Sequence, residues 1–293
     1  MSNKQTKGLK RNTIDKFYTK DSVVEICVGK IKELIEVNDN DLLIEPSAGN
    51  GAFIKCMKQL SSNCLFYDIE PEHDDITKQD YLELDETILD KTILDISKRV
   101  HVIGNPPFGR QSSLAIKFIK KSAKFCDSIS FILPRSFMKE SMTRHFPKNF
   151  HLRCEIKLDD KSFCVNGEDY GVPCVFQIWE KDDKERNIKC KQQPLFFQFV
   201  KRDNNPDISF RRVGINAGSI EKIERNEGKK NKNIKHKDKS EQSHYFIKFN
   251  TQQDEAVYDQ LSSLNFDCKN NTVGPKSISK QELIEEFNKI LVS

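Results

Sequence analysis

The chain has 293 residues, with 48 Lys/Arg, 44 Asp/Glu and a net charge of +4. That balance excludes a histone-like polycation, so any nucleic-acid surface must come from local clustering. Nine cysteines without a C-x-x-C pair and only six histidines argue against a disulfide framework and a zinc site. No run approaches the roughly 20 apolar residues of a membrane span, and the polar, basic Met1–Lys10 is unlike a signal peptide. The expectation is an intracellular soluble protein with one large α/β domain and a smaller appendage.

Met1–Asn12 reads as a disordered basic arm. A helical period follows, with Val23, Val24, Ile26, Cys27, Ile31, Leu34 and Ile35 on one broad face. Thr19 or Asp21 is its expected cap, and Phe17 with Tyr18 reads as a hydrophobic staple at its entry. Asp41–Ala52, DLLIEPSAGNGA, then reads as strand, glycine loop and helix, the helix running to Leu60. Gly49 and Gly51 let the backbone approach a ligand beside Ser47. The loop is not G-x-G-x-x-G, so a dinucleotide pyrophosphate is not indicated. Glu45 ahead of the loop would repel a phosphate and suits a cation.

Cys64–Asp68 is a second strand ending in an acid about 20 residues beyond the loop, where a carboxylate takes ribose hydroxyls. Asp68 is the candidate and Glu70 the alternative. Ile76–Leu82 is a weaker strand containing Asp80. Residues 84–99 show no clear period, and Val100–Gly104 is the fourth strand.

That strand runs into Asn105-Pro106-Pro107-Phe108. Neither proline can donate to a sheet ladder, so the strand stops and a stiff extended loop begins. Asn105 therefore sits at a strand's C-terminal end, where open α/β sheets carry their sites. The arrangement suits transfer to a planar, weakly nucleophilic amine. The Asn105 side-chain oxygen and the Pro106 carbonyl would accept its two hydrogens, and Phe108 would lie flat on its ring.

Ser112–Cys126 has helical period, Ser128–Leu133 is a fifth strand ended by Pro134, and Arg135–Phe146 reads as another amphipathic helix. Leu152–Leu158 and Val172–Trp179 read as strands around the loop Asp159–Gly171, which carries Phe163 and Tyr170.

Asn-Pro-Pro-Phe resembles the catalytic motif of S-adenosylmethionine-dependent amino-methyltransferases, most closely those acting on the N6 amine of adenine in nucleic acid. Glu-Pro-Ser-Ala-Gly-Asn-Gly resembles their cofactor loop, and Phe17-Tyr18-Thr19 their cofactor-contacting motif when that motif comes first. The resemblance covers residues 15–180. It implies a three-layer, Rossmann-like α/β methyltransferase fold with a mostly parallel seven-stranded sheet closed by an antiparallel pair. It implies S-adenosyl-L-methionine as cofactor, held by Phe17, Tyr18, Thr19, Glu45, Ser47, Gly49, Gly51, Asp68, Asp80 and Asn105. Asp80 would receive the cofactor adenine, with Tyr81 or Leu82 beside that ring. Asn105, Pro106, Pro107 and Phe108 would be catalytic on a flipped-out base, faced by an aromatic for which Phe163 is the candidate. No metal is required. The loop and the leading Phe-Tyr-Thr look more like DNA than RNA enzymes; a protein glutamine methyltransferase favours Tyr where Phe108 stands.

Beyond Lys181 the composition changes: Lys181–Ser240 holds 17 Lys/Arg and 9 Asp/Glu. Strand-like runs occur at Leu195–Lys201, Ile208–Val213 and Tyr245–Phe249. Helical runs occur at Thr251–Leu264 and at Ser279–Leu291, where Ser279 and Glu282 form a capping box. Residues 181–293 read as a smaller region that recognises nucleic acid. Its basic loop, with Lys229, Lys230, Lys232 and Lys235, is the expected contact.

Overall fold

The computed structural model describes residues 17–85, 99–165, 167–223 and 239–291. The expected basic arm, most of the unassigned 84–99 stretch and the four lysines 229, 230, 232 and 235 lie outside the described residues. The chain divides into two compact units, one spanning Lys10–Ile188 and the other built on Lys189–Ser293. Residues after Lys181 stay with the first unit because Arg186 ties them there. Its guanidinium donates to the carbonyls of Phe150 at 2.9 Å, Thr143 at 3.0 Å and Phe146 at 2.8 Å, and lies over Trp179 at 5.2 Å.

The first unit opens with β1 (Tyr18–Thr19), α1 (Asp21–Leu34), β2 (Leu42–Glu45), α2 (Ile54–Met57), β3 (Cys64–Asp68) and β4 (Thr77–Lys78). It continues with β5 (Val100–Gly104), α3 (Ser113–Ser122), β6 (Ser128–Pro134), α4 (Glu140–Thr143) and β7 (Phe150–Lys157). It closes with β8 (Phe163–Val165), β9 (Glu168–Tyr170) and β10 (Cys174–Lys181). The main sheet has seven strands in the order β4-β3-β2-β5-β6-β10-β7. Every pair from β4 to β6 is parallel, and β10 alone runs against its neighbours β6 and β7. The mostly parallel sheet and its closing antiparallel pair are as expected.

Parallel strands buried on both faces read as continuous apolar runs, and β2, β5 and β6 are buried throughout. Successive side chains alternate between faces. Leu42, Ile44, Val100, Val102, Ile129, Phe131 and Leu133 meet Ala115, Phe118 and Ile119 of α3. The alternate residues turn to the layer of α1 and α2, which pack against each other. Here α1 buries Val23, Val24, Cys27, Val28 and Ile31. Ile26 and Leu34, expected on that face, are 52% and 40% exposed. Neither expected cap acts: Lys20 is the N-cap residue, without a side-chain bond. The helix expected to run to Leu60 is only α2, and the one expected over 135–146 breaks into a 3-10 turn and α4 at Lys139, whose ψ is 140°.

The second unit adds β11 (Phe197–Val200), β12 (Ile208–Arg211), β13 (Ile220–Lys222), β14 (His244–Phe249), α5 (Glu255–Ser263) and α6 (Lys280–Ile290). Its antiparallel sheet runs β11-β14-β12-β13, and one face packs Phe197, Phe210 and Ile247 against Leu261, Leu283 and Phe287 of the helices. Asp254 caps α5, and Ser279 with Glu282 forms the expected capping box on α6. Among the described residues no helix is long and apolar enough to cross a membrane, and no group of three or more His, Cys, Asp or Glu is placed to hold a metal.

Candidate active site

Strand order reverses between β2 and β5: β3 and β4 extend one way and β6 the other. Ligand crevices form beyond the C-terminal ends of the two strands flanking such a point. Glu45 ends β2 and Asn105 follows β5, so both stand there. A cavity of about 460 Å³ opens at this place. Its walls include Phe17, Tyr18, Ser47, Gly49, Asp68, Asp80, Asn105 and Pro107. Glu45, Thr19, Gly51, Pro106, Phe108 and Phe163 are not in its lining and act from behind it or stand apart.

The cavity floor is the glycine loop. Gly49 and Gly51 have φ of 53° and 84°, where a Cβ would be strained. The turn they make brings the Gly49 N–H to Asp68 Oδ2 at 2.7 Å, while Asp68 Oδ1 accepts from Glu70 N–H at 2.8 Å. Asp68 thus fastens the loop to the end of β3. A carboxylate has about four acceptor sites, so it retains capacity for hydroxyls. Asp80 accepts from Leu82 N–H at 2.9 Å and starts the 3-10 turn that sets Tyr81 and Leu82 in the wall. Tyr81 is buried, its hydroxyl 2.8 Å from Ser122 Oγ.

Glu45 is the unusual acid. It is 2% exposed, and its Oε2 is buried without a hydrogen-bond partner. Burial, aided by the Asp68 carboxylate, pushes it well above the ordinary carboxylate range. A buried acid with an orphaned oxygen is completed by a cation or by a proton.

Asn105 is held by the N-terminal motif. Its Nδ2 donates to Phe17 O at 3.1 Å and to Thr19 Oγ1 at 3.2 Å. A carbonyl can only accept, so the amide nitrogen must face Phe17 and the orientation is fixed. The other amide atom, Oδ1, is buried without a partner. Ser47 Oγ donates to the Asn105 carbonyl at 3.2 Å and joins the two strand ends. Sequence reasoning placed Thr19 against the cofactor; the structure gives it a further role as the acceptor that orients Asn105.

What places Phe17–Thr19 is a hairpin that the sequence did not reveal. Strand β1 pairs with β8, Thr19 opposite Phe163 and Tyr18 opposite Cys164, and β8 pairs with β9. Phe163, the candidate for the opposing aromatic, is wholly buried in this small sheet. Tyr170, half-buried, stacks on Phe17 at 5.3 Å and 23°. Phe108 is 7% exposed, with its ring 6.1 Å and 31° from that of Phe17. The Tyr18 hydroxyl donates to Glu72 Oε1 at 2.5 Å, one cavity residue to another. Glu72 has no sequence signal of its own; only Tyr18 reveals it.

No family model and no curated protein matches this chain. Among solved structures, it is similar to one described as an RNA methyltransferase of Pyrococcus horikoshii, at 15% identity and TM-score 0.41, covering 60% of this chain and 92% of that one. It is also similar to one described as a class I S-adenosylmethionine-dependent methyltransferase of Listeria monocytogenes, at 16% and 0.44, covering 60% and 64%. A third is described as a type I restriction modification subunit of Vibrio vulnificus, at 13% and 0.41, covering 57% and 44%. At these identities and scores, what the site can do follows from its own residues.

Proposed function

We propose that this chain transfers the methyl group of S-adenosyl-L-methionine to the exocyclic N6 amine of adenine in nucleic acid, with DNA the substrate favoured by the resemblance of its cofactor loop. The observation that carries the reading is the fixed Asn105 amide: nitrogen spent on Phe17 and Thr19, oxygen buried and unpartnered. That is an acceptor waiting for a donor at the end of β5.

The site's residues fit the cofactor. Glu45, buried with an orphaned oxygen, suits a cation. Asp68, already orienting the glycine loop, suits a ribose, and Asp80 beside Tyr81 and Leu82 suits an adenine. Bound there, the cofactor supplies an electrophilic methyl group. The chain supplies the rest. Asn105 Oδ1 accepts one hydrogen of the target amine and the Pro106 carbonyl the other. These bonds draw the nitrogen toward a tetrahedral shape and strengthen as positive charge develops on it, and the methylated nitrogen then loses its extra proton to water. Thr19 and the Phe17 carbonyl hold the amide so that no reorganisation is needed. Phe108 stacks on the base. Phe163 is the candidate for its other face and Tyr170 the alternative; both rings lie against Phe17. The second unit and its basic loop, Lys229, Lys230, Lys232 and Lys235, recognise nucleic acid around the target.

The test is to incubate the protein with methyl-labelled cofactor and DNA, RNA or protein extract in parallel, then digest to nucleosides or amino acids. Label in N6-methyladenine from DNA is the expected result. Label from RNA alone would move the substrate to RNA, and label in glutamine would overturn the reading.

A further inference from the structure

The catalytic unit is acidic as a whole, with 27 Lys/Arg against 30 Asp/Glu over residues 10–188. Between Asn105 and Asn149 the balance inverts to nine Lys/Arg against two Asp/Glu. Of those two acids, Asp127 turns its Oδ2 to the Val100 N–H at 2.8 Å. Solvated stretches ordinarily intersperse both signs; this one is strongly biased to one.

Within the first unit, several of these cations are exposed on α3 and beside it. In α3 the buried residues are Ala115, Phe118, Ile119 and Ser122. Lys117 and Lys120 project from the opposite side, and Lys124 continues their line in the turn beyond; all three are exposed. Arg110, also exposed, precedes α3 and follows Phe108 by two residues. Arg144 is exposed at the end of α4, whose Met142 packs into the same core as Phe118 and Ile119. Burial, then the charges of Lys120 and Arg144, hold His145 below the ordinary histidine range, which places it near both cations. Arg110, Lys117, Lys120 and Arg144 have no carboxylate partner among the described residues. The ridge begins at the cavity, since Leu114 and Phe118 of the same helix line it.

We propose that this ridge, Arg110, Lys117, Lys120 and Arg144, grips the sugar-phosphate backbone of the nucleic acid beside the target base. The inference rests on the nucleic-acid reading above and places part of that contact on the catalytic unit itself. Lys117 and Lys120 lie about 4.5 Å apart along the helix axis at 1.5 Å per residue. Phosphates along one strand of a duplex rise about 3.4 Å each, so the two lysines match neighbouring phosphates. These contacts carry no base information; they set register and orientation at the cavity.

The experiment is a salt titration of duplex DNA binding by the full chain, wild type against the triple variant Lys117→Gln, Lys120→Gln, Arg144→Gln. A control triple variant, Lys32→Gln, Lys55→Gln, Lys157→Gln, removes exposed cations elsewhere on the unit. Each lost phosphate contact lowers the log–log slope by about 0.9 on duplex. The ridge variant should therefore lose about 2.7 from its slope, so that its drop in affinity between 50 and 200 mM salt is smaller by roughly forty-fold. The control should keep the wild-type slope. Unchanged thermal stability and cofactor affinity in the ridge variant establish that it is folded. A wild-type slope in the ridge variant overturns the inference, even where label transfer to adenine upholds the function. Ridge-dependent binding of polyglutamate without binding of DNA or RNA would assign the surface to an acidic protein and also overturn it. A lowered slope with no methyl transfer to any nucleic acid would keep the ridge and remove the function.

Discussion

Gly104 stands directly against Glu45. A Cβ built on Gly104 would lie 3.1 Å from Glu45 Cγ and 3.5 Å from Oε1, and its φ of 150° is one that L side chains rarely adopt. The last residue of β5 is thus a glycine because the last side chain of β2 fills the space beside it. Gly104→Ala should lower stability by about 1–3 kcal/mol through backbone strain. It should also weaken cofactor binding, because Glu45 must move. Thermal unfolding and calorimetry check the two effects; a variant with wild-type affinity would mean Glu45 does not touch the cofactor.

On the proposed reading, Glu45 should make cofactor binding pH-dependent. Its folded-state affinity for protons is raised, so the free protein favours the protonated acid and loses stability as rising pH forces ionisation. A bound cation favours the carboxylate. Binding should release up to one proton and tighten as pH rises through the range where Glu45 titrates in the free protein. Calorimetry in buffers of different ionisation enthalpy measures that proton. Glu45→Gln should release none, bind more weakly and be more stable than wild type at neutral pH without ligand.

Thr19→Val removes one of the two acceptors on Asn105 Nδ2 while keeping the shape of the side chain. Losing one partner of a largely buried hydrogen bond costs about 1–3 kcal/mol. Because that bond aims the amide, the loss should fall mainly on kcat, by about ten-fold, with cofactor affinity nearly retained. Thr19→Ser should restore the rate. A Thr19→Val enzyme with wild-type kcat would mean the Phe17 carbonyl alone suffices.

Most of the sheet was legible. Cys64–Asp68 and Val100–Gly104 match β3 and β5 residue for residue; in β5 the run is wholly buried, and such strands declare themselves as short apolar runs between breakers. The hairpin of β8 and β9 was not legible. Its strands have three residues each, one of them carries Glu168 and Asp169, and they are stabilised by the pairing of β8 with β1, a strand far away in sequence that sets Thr19 opposite Phe163. Thr19 misled for a related reason: at a helix start it reads as a cap, but a tertiary bond to Asn105 takes its hydroxyl. Ile26 and Leu34 fit the helical period yet lie at the margins of the buried stripe, which periodicity alone does not delimit.

The far end of the sheet carries a second titrating group. His101 is fully buried, with Nδ1 2.7 Å from Ser128 Oγ and Nε2 3.5 Å from Asp41 Oδ2. Burial, aided by Arg99, holds it below the ordinary histidine range despite Asp41. The unfolded chain therefore takes up a proton at a higher pH than the folded one. Stability should fall as pH drops below the ordinary histidine value of about 6.5, at up to roughly 1.4 kcal/mol per pH unit, until the folded value is passed. Denaturant unfolding from pH 7 to pH 5, carried out on Glu45→Gln to remove the opposing slope of that buried acid, should show this slope, and adding His101→Gln should make it shallower.

The most direct test is the rate of methyl transfer by Asn105→Ala, measured with adenine-containing DNA at saturating cofactor beside calorimetry of cofactor binding. Loss of one preorganised acceptor typically lowers kcat by about a hundredfold to a thousandfold. The predicted result is a fall of that size with cofactor affinity within a few-fold of wild type. A variant that retains wild-type turnover would contradict the account, because the buried, unpartnered Asn105 oxygen would then have no part in the chemistry.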